Sequence, residues 1–377
     1  MLIKVDRRSN NPLIEAYFND DLIEFKNLIE KGHNINCICG HRGRSLISIV
    51  LADENKSCEN KVEKDRNKKF FDLLIDSGVH LGIIGKEDCL LNIAITNHKE
   101  SYYLETLLKQ MNDVNYCNQR TIENSNFYKS LPIYDAVTSN NINHVKTLIR
   151  FSADLTIYGD LKTPFLNHLF SKFKEIPPDF LSFLIKNGAD PNQKCKHRGK
   201  TSLHQICDRK FDEKLLNILF ENNADIEISD FFGETPLMRA GDWADVETFD
   251  YFVKRGADLN KRNNNGETAA FNSITNINNG YKKLKILSDM DADFSIKNNS
   301  GYNIIHKIVD FIIKYGANVN NESIDVYFDI LRKNKKLLLV KDELGNRPID
   351  YMKRKYKNQT WDFSEFIKED QKSIGYN

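Results

Sequence analysis

The 377-residue chain is 40% hydrophobic and 28% charged, and its 54 basic and 53 acidic residues leave a formal charge of +1. That balance offers no electrostatic footprint for DNA or RNA, so nucleic acid is not an expected partner. Eight prolines and 18 glycines argue against collagen-like or disordered character, and no run approaches the ~20 apolar residues of a membrane helix, so no membrane insertion is expected.

The opening "MLIKVDRRSNNP" has no apolar core of signal-peptide length. Seven cysteines (Cys37, Cys39, Cys58, Cys89, Cys117, Cys195, Cys207) form an odd set without a paired framework, which fits a reducing compartment and a cytoplasmic location. The first predicted helix-and-turn is "DLIEFKNLIEKGHNIN", closing near Gly32. Next comes "GHNINCICGH", with His33, Cys37, Cys39 and His41 within nine residues. Structural zinc sites pair C-x₂₋₄-C with a distant second pair, so this cluster reads as a connecting loop and no metal is expected. Residues 52–71 form a charged insertion, read as a solvated loop or an extended helix. Further amphipathic helices end at "DSGVHLG", "KQMNDVN" and "RFSADLT", and in "FKEIPPDFLSFLI" the Pro177–Pro178 pair starts a helix.

From Gly199 onward the chain repeats itself. "GKTSLHQIC", "GETPLMRAG", "GETAAFNSI" and "GYNIIHKIV" start at Gly199, Gly233, Gly266 and Gly301, in steps of 34, 33 and 35 residues. A second marker keeps phase with the first: "NGADPN", "NNADIE", "RGADLN" and "MDADFS", at Gly188, Asn223, Gly256 and Asp291. In the copy from Gly233, the glycine permits the tight turn, Thr235 is an N-cap and Pro236 occupies the first helical position, where its missing N–H is harmless. Leu237 and Ala240 begin an inner apolar face. Phe249, Tyr251 and Phe252 belong to an outer helix, which Gly256 ends in a left-handed cap. One such copy cannot close a core and must bury its face on its neighbours.

This pattern resembles the ankyrin repeat, a turn, two antiparallel helices and a hairpin-like loop of ~33 residues. The resemblance implies an all-α ankyrin-repeat solenoid of roughly nine units with irregular caps. Residues 1–120 are read as divergent repeats, 121–300 as regular ones, and 301–377 as a remodelled repeat with capping helices, Trp361 and Phe363 packing back on the stack. It also implies that His204 is a structural histidine bonding between neighbouring turns, with Cys207 on the buried side of the same helix, rather than a nucleophile–base dyad. No G-x-S-x-G, P-loop or kinase motif appears. The leading expectation is therefore a non-enzymatic protein-binding module with no cofactor and no small-molecule substrate. The alternative is an effector enzyme with an unrecognised site in the irregular ends.

In the family, contact positions are the two residues before the turn glycine, the residue after it, and the end of the inner helix. In the seventh copy these are Phe231, Phe232, Glu234, Asp242 and Trp243. In the sixth they are His197, Arg198, Lys200, Asp208 and Arg209. In the eighth, Asn264, Asn265 and Glu267 make a bland polar set. Three aromatics would form an apolar anchor, and the cations beside them would steer an acidic protein partner. Likeness to ankyrin-rich proteins of intracellular bacteria and large DNA viruses implies a pathogen protein at work in a host cell, for which an Asn/Lys/Ile-rich composition is the second hint.

Overall fold

The computed structural model describes residues 11–39, 44–52, 61–81, 90–111, 113–115, 118–121, 127–159, 162–276, 278–315, 320–355 and 363–373. His41, Cys58, Cys89, Cys117 and Trp361 lie outside them, as do 53–60 of the charged insertion. Two compact units emerge, one of Met1–Glu175 with Lys186–Ala189, the other of Ile176–Ile185 with Asp190–Asn377.

In the first unit short helices alternate along the chain: Pro12–Phe18 and Leu22–Glu30, Leu46–Ala52 and Lys61–Asp76, Leu90–Asn97 and Tyr102–Gln110, Pro132–Thr138 and Ile142–Arg150, then Phe165–Lys172. The first member of each later pair packs against its counterpart in the next. The insertion resolves into the 16-residue helix Lys61–Asp76, anchored by Phe70 and Phe71, which are fully buried. Among the described residues the strands are confined to two antiparallel hairpins. One pairs Ile38 with Ser45 and Cys39 with Arg44; the other runs from Asn118↔Ser130 to Thr121↔Phe127.

The second unit begins with the helix Pro178–Lys186, except for its last residue, and continues in five pairs: Ser202–Ile206 and Glu213–Glu221, Pro236–Trp243 and Val246–Lys254, Ala269–Thr275 and Gly280–Asp289, Ile304–Tyr315 and Asn321–Lys333, Pro348–Lys355 and Ser364–Ser373. The inner helices stack in one row, and the outer helices from Val246 onward in another. The long spacing from Gly301 to Gly345 is taken up by the extended helices Ile304–Tyr315 and Asn321–Lys333 and a 3₁₀ turn, Lys335–Leu339. The final pair packs on the preceding one through Phe363, which is fully buried, and Phe366, both against the Phe328 ring.

Local chemistry explains each copy. Thr235 Oγ1 accepts from the Met238 N–H at 3.3 Å and Pro236 follows at the first helical position. Gly233 and Gly256 sit at φ +76° and +83°, where a side chain would be strained. Leu237, Ala240, Phe249 and Phe252 are fully buried.

Neighbouring copies are tied by two ladders. In the first, the backbone N–H groups of Asp225, Asp258 and Asp293 each donate to a side chain of the preceding copy, Asn192, Glu227 and Asn260, all at 2.8 Å. In the second, the loop tips join: Phe231 N–H donates to Arg198 O at 2.9 Å, Asn264 N–H to Phe232 O at 3.0 Å, and Asn299 N–H to Asn265 O at 2.8 Å. Asp230, Asn263 and Asn298 hold those tips rigid, each through a side-chain oxygen that accepts two backbone N–H groups of its own loop.

Candidate partner-binding surface

The loop ladder fixes where the tips of the sixth and seventh copies sit, and thereby what they display. Phe231 lies over the turn of the sixth copy: a Cβ placed on Gly199 would come within 2.6 Å of the Phe231 ring. Despite that contact Phe231 remains 55% exposed, and Phe232 beside it 59%. Trp243, at the end of the inner helix Pro236–Trp243, is 64% exposed. Among the described residues most other phenylalanines are buried, and Phe18, at 40%, is the next most open.

A sequence of contacts links the loop tip to the indole. Gly199 is flanked by Arg198, which is exposed, and Lys200, which is half-buried. Burial lowers the Lys200 pKa, followed by the repulsion of Arg239, and Asp208 opposes the shift. Arg239 bridges to Asp208 at 2.8 Å and lays its guanidinium over the Trp243 ring, 4.8 Å from its centroid. The aromatic group and the cations thus share one surface. Arg239 itself was missed from sequence, although it stands four residues before Trp243, the spacing that places two side chains on one helix face.

The acidic residues behave differently from an open rim. Asp242 is half-buried: one carboxylate oxygen accepts from Asn272 Nδ2 at 2.8 Å and the other from Thr275 Oγ1. Glu234 is also half-buried, accepts from Asn272 Nδ2 at 3.3 Å, and has its pKa raised by burial and then by Asp230. Both serve the junction with the eighth copy. His197 is exposed; Arg209 is half-buried, and burial lowers its pKa.

The His204–Cys207 pair is structural. His204 is fully buried; its Nδ1 accepts from the Thr201 backbone N–H at 3.2 Å, so Nε2 carries the proton and donates to Glu234 O at 2.9 Å. Burial pushes its pKa down to about 4 and that of the Cys207 thiol up to about 12, while Cys207 Sγ donates to Leu203 O at 3.3 Å. A neutral thiol bonded within its own helix is no nucleophile. Of the N-terminal cluster, His33 and Cys37 are described and His41 is not. Among the described residues, no group of His, Cys, Asp or Glu is arranged to hold a metal, and no helix is long and apolar enough to cross a membrane.

The family model for ankyrin repeats (3 copies) matches residues 168–263, the stretch that carries this surface. These residues are ankyrin repeats. The chain is similar to an ankyrin repeat protein of Rickettsia felis, 28% identical over 142 residues, covering 37% of this chain and 44% of that one. It is also similar to an ankyrin repeat protein of fowlpox virus, 24% identical over 196 residues, covering 51% of this chain and 96% of the viral one. Among solved structures, the ankyrin repeat domain of Bcl-3 aligns with a TM-score of 0.48 at 21% identity, over 59% of this chain and 93% of that chain. The match thus spans less than half of the Rickettsia protein. Ankyrin repeats are in general protein–protein interaction modules, with their contact side chains displayed on a rigid stack.

Proposed function

We propose that this protein is a non-enzymatic recognition module that grips a partner protein at its sixth and seventh copies. The observation that carries this reading is the exposure of Phe231, Phe232 and Trp243 on a rigid backbone. Large aromatics lose little side-chain entropy on docking and supply the apolar anchor of an interface. Arg198, Lys200 and Arg239 alongside favour a partner that meets the aromatics with an acidic rim, and His197 and Arg209 extend the same edge. Asp242 and Glu234 support the surface from behind. The module acts by masking the partner or holding it for another factor, in the cytoplasm. Similarity to Rickettsia and fowlpox proteins supports a pathogen protein acting inside a host cell.

The test is affinity purification from host-cell lysate, comparing the wild type with Phe231→Ala/Trp243→Ala after both are shown to be folded. A protein retained by the wild type, lost by the variant, and released by raised salt is the expected outcome. The same retained set from both chains refutes the site.

A further inference from the structure

The outer helices of the sixth, seventh and eighth copies share a register in which Leu215, Thr248 and Lys283 stand ten residues before Asp225, Asp258 and Asp293. All three are buried, with relative exposures of 2%, 2% and 0%. A lysine where the neighbouring copies have leucine and threonine is costly unless every N–H of its ammonium is used. Here all three are: Lys283 Nζ donates to Ala240 O at 2.7 Å, Gly241 O at 2.9 Å and Ala244 O at 2.6 Å. Two of these carbonyls belong to the last turn of Pro236–Trp243 and the third lies just beyond it, where the helix dipole also favours a cation.

Asn276 adds a fourth tie, donating to Asp242 O at 3.1 Å, and Asn272 and Thr275 hold the Asp242 carboxylate. Every residue on either side of Trp243 from 240 to 244 therefore has its carbonyl held by the eighth copy. That turn is the mounting of the indole. Thr248 in the same register carries no ammonium, so the seventh copy offers its own predecessor no equivalent.

We propose that Lys283 is a positioning residue for Trp243: its ammonium, reaching through the core from the eighth copy, locks the end of the seventh inner helix and sets the orientation of the exposed indole. The proposal rests on the reading of Trp243 as a partner contact, and it makes the bland eighth copy an internal support for the seventh copy's display. Charged and titratable groups facing Lys283 are Asp242, Asp245 and Cys207, with the Phe249 ring 5.8 Å from Nζ. Asp245 is held by the backbone N–H groups of Phe211 and Thr248, and Cys207 is a neutral thiol. Burial pulls the Lys283 pKa down to about 8, with those three groups opposing the shift. Above that pH the neutral amine has two N–H donors for three carbonyls, and the turn loosens.

The experiment uses the full chain with Trp361→Phe, which leaves Trp243 as its single tryptophan. Trp243 anisotropy and acrylamide quenching are followed from about pH 6.5 to 9.5, alone and with Lys283→Met or Lys283→Arg, and circular dichroism reports helix content. The expected result is a fall in anisotropy and a rise in quenching with a midpoint near pH 8. Lys283→Met shows the loosened values throughout, and Lys283→Arg restores the tight ones without the titration. A flat trace in the Lys283 chain overturns the proposal even if the Met variant fails to fold, as does a Met variant whose traces match those of the Lys283 chain. Because the readout is on the free protein, failure of the surface reading is seen separately, as partner retention unaffected by Trp243→Ala.

Discussion

His204 and Glu234, thirty residues apart in sequence, are joined by a 2.9 Å hydrogen bond from the imidazole Nε2 to the backbone carbonyl. Because Nδ1 accepts from Thr201, the ring is neutral and of one tautomer, and it fastens the start of the sixth inner helix to the turn of the seventh. The fold needs that neutral form. Protonation places a second N–H where Thr201 already donates, inside a fully desolvated site.

The sign of the resulting pH dependence follows. With a folded pKa near 4 against 6.5 in the unfolded chain, the unfolded state binds more protons throughout that window. Stability contributed by His204 is therefore complete above pH 6.5 and is lost as pH falls toward 4, by on the order of 3 kcal/mol in the limit. Urea denaturation at about pH 7 and 5 is expected to show a larger loss for the wild type than for His204→Gln, which starts less stable. Equal losses would assign the effect to other groups, such as His168, which burial also lowers to about 4.

Gly199→Ala is expected to destabilise the sixth copy by about 1–3 kcal/mol. The residue sits at φ +76°, and the new methyl meets the Phe231 ring at 2.6 Å and the Phe231 backbone nitrogen at 2.8 Å. Hydrogen exchange is the sensitive measurement, since the Phe231 N–H to Arg198 O bond should open first. Unchanged protection there would show that the loop shifts without cost.

Phe232→Ser and Trp243→Ala, by contrast, are expected to leave the unfolding midpoint within about 0.5 kcal/mol of wild type, because both side chains face solvent. Phe252→Ala in the same copy removes a fully buried ring and should cost about 3–5 kcal/mol. A large loss from Phe232→Ser would mean that its ring carries packing rather than display.

A double-mutant cycle on Arg239→Ala and Asp208→Ala should return a coupling of about 0.5–1 kcal/mol, weakened by salt. The pair closes at 2.8 Å, but the Asp208 side chain is 36% exposed and screening limits its worth. Arg239→Ala should also change the environment of Trp243 by removing the cation above its ring. Fluorescence identical to wild type would deny that stacking in solution.

The repeat, its period and the residues that end each helix are properties of the sequence by itself. Gly233, Thr235, Pro236 and Gly256 act within a few residues of themselves, through turn conformation and capping, so spacing alone reveals them. The exposed aromatics were legible too, as large side chains at loop tips and a helix end. What no local pattern contained was the junction between copies. That Asp242 and Glu234 turn to Asn272, that Arg239 covers Trp243 while reaching Asp208, and that Lys283 is interior all depend on which atoms of one copy oppose those of the next. A lysine is normally solvated, and its burial is decided by three carbonyls some 40 residues away, exposed by the end of another helix. Sequence determined the repeating unit because its physics is short-range; tertiary structure decided which side chains stay exposed, because desolvation is set by the neighbour.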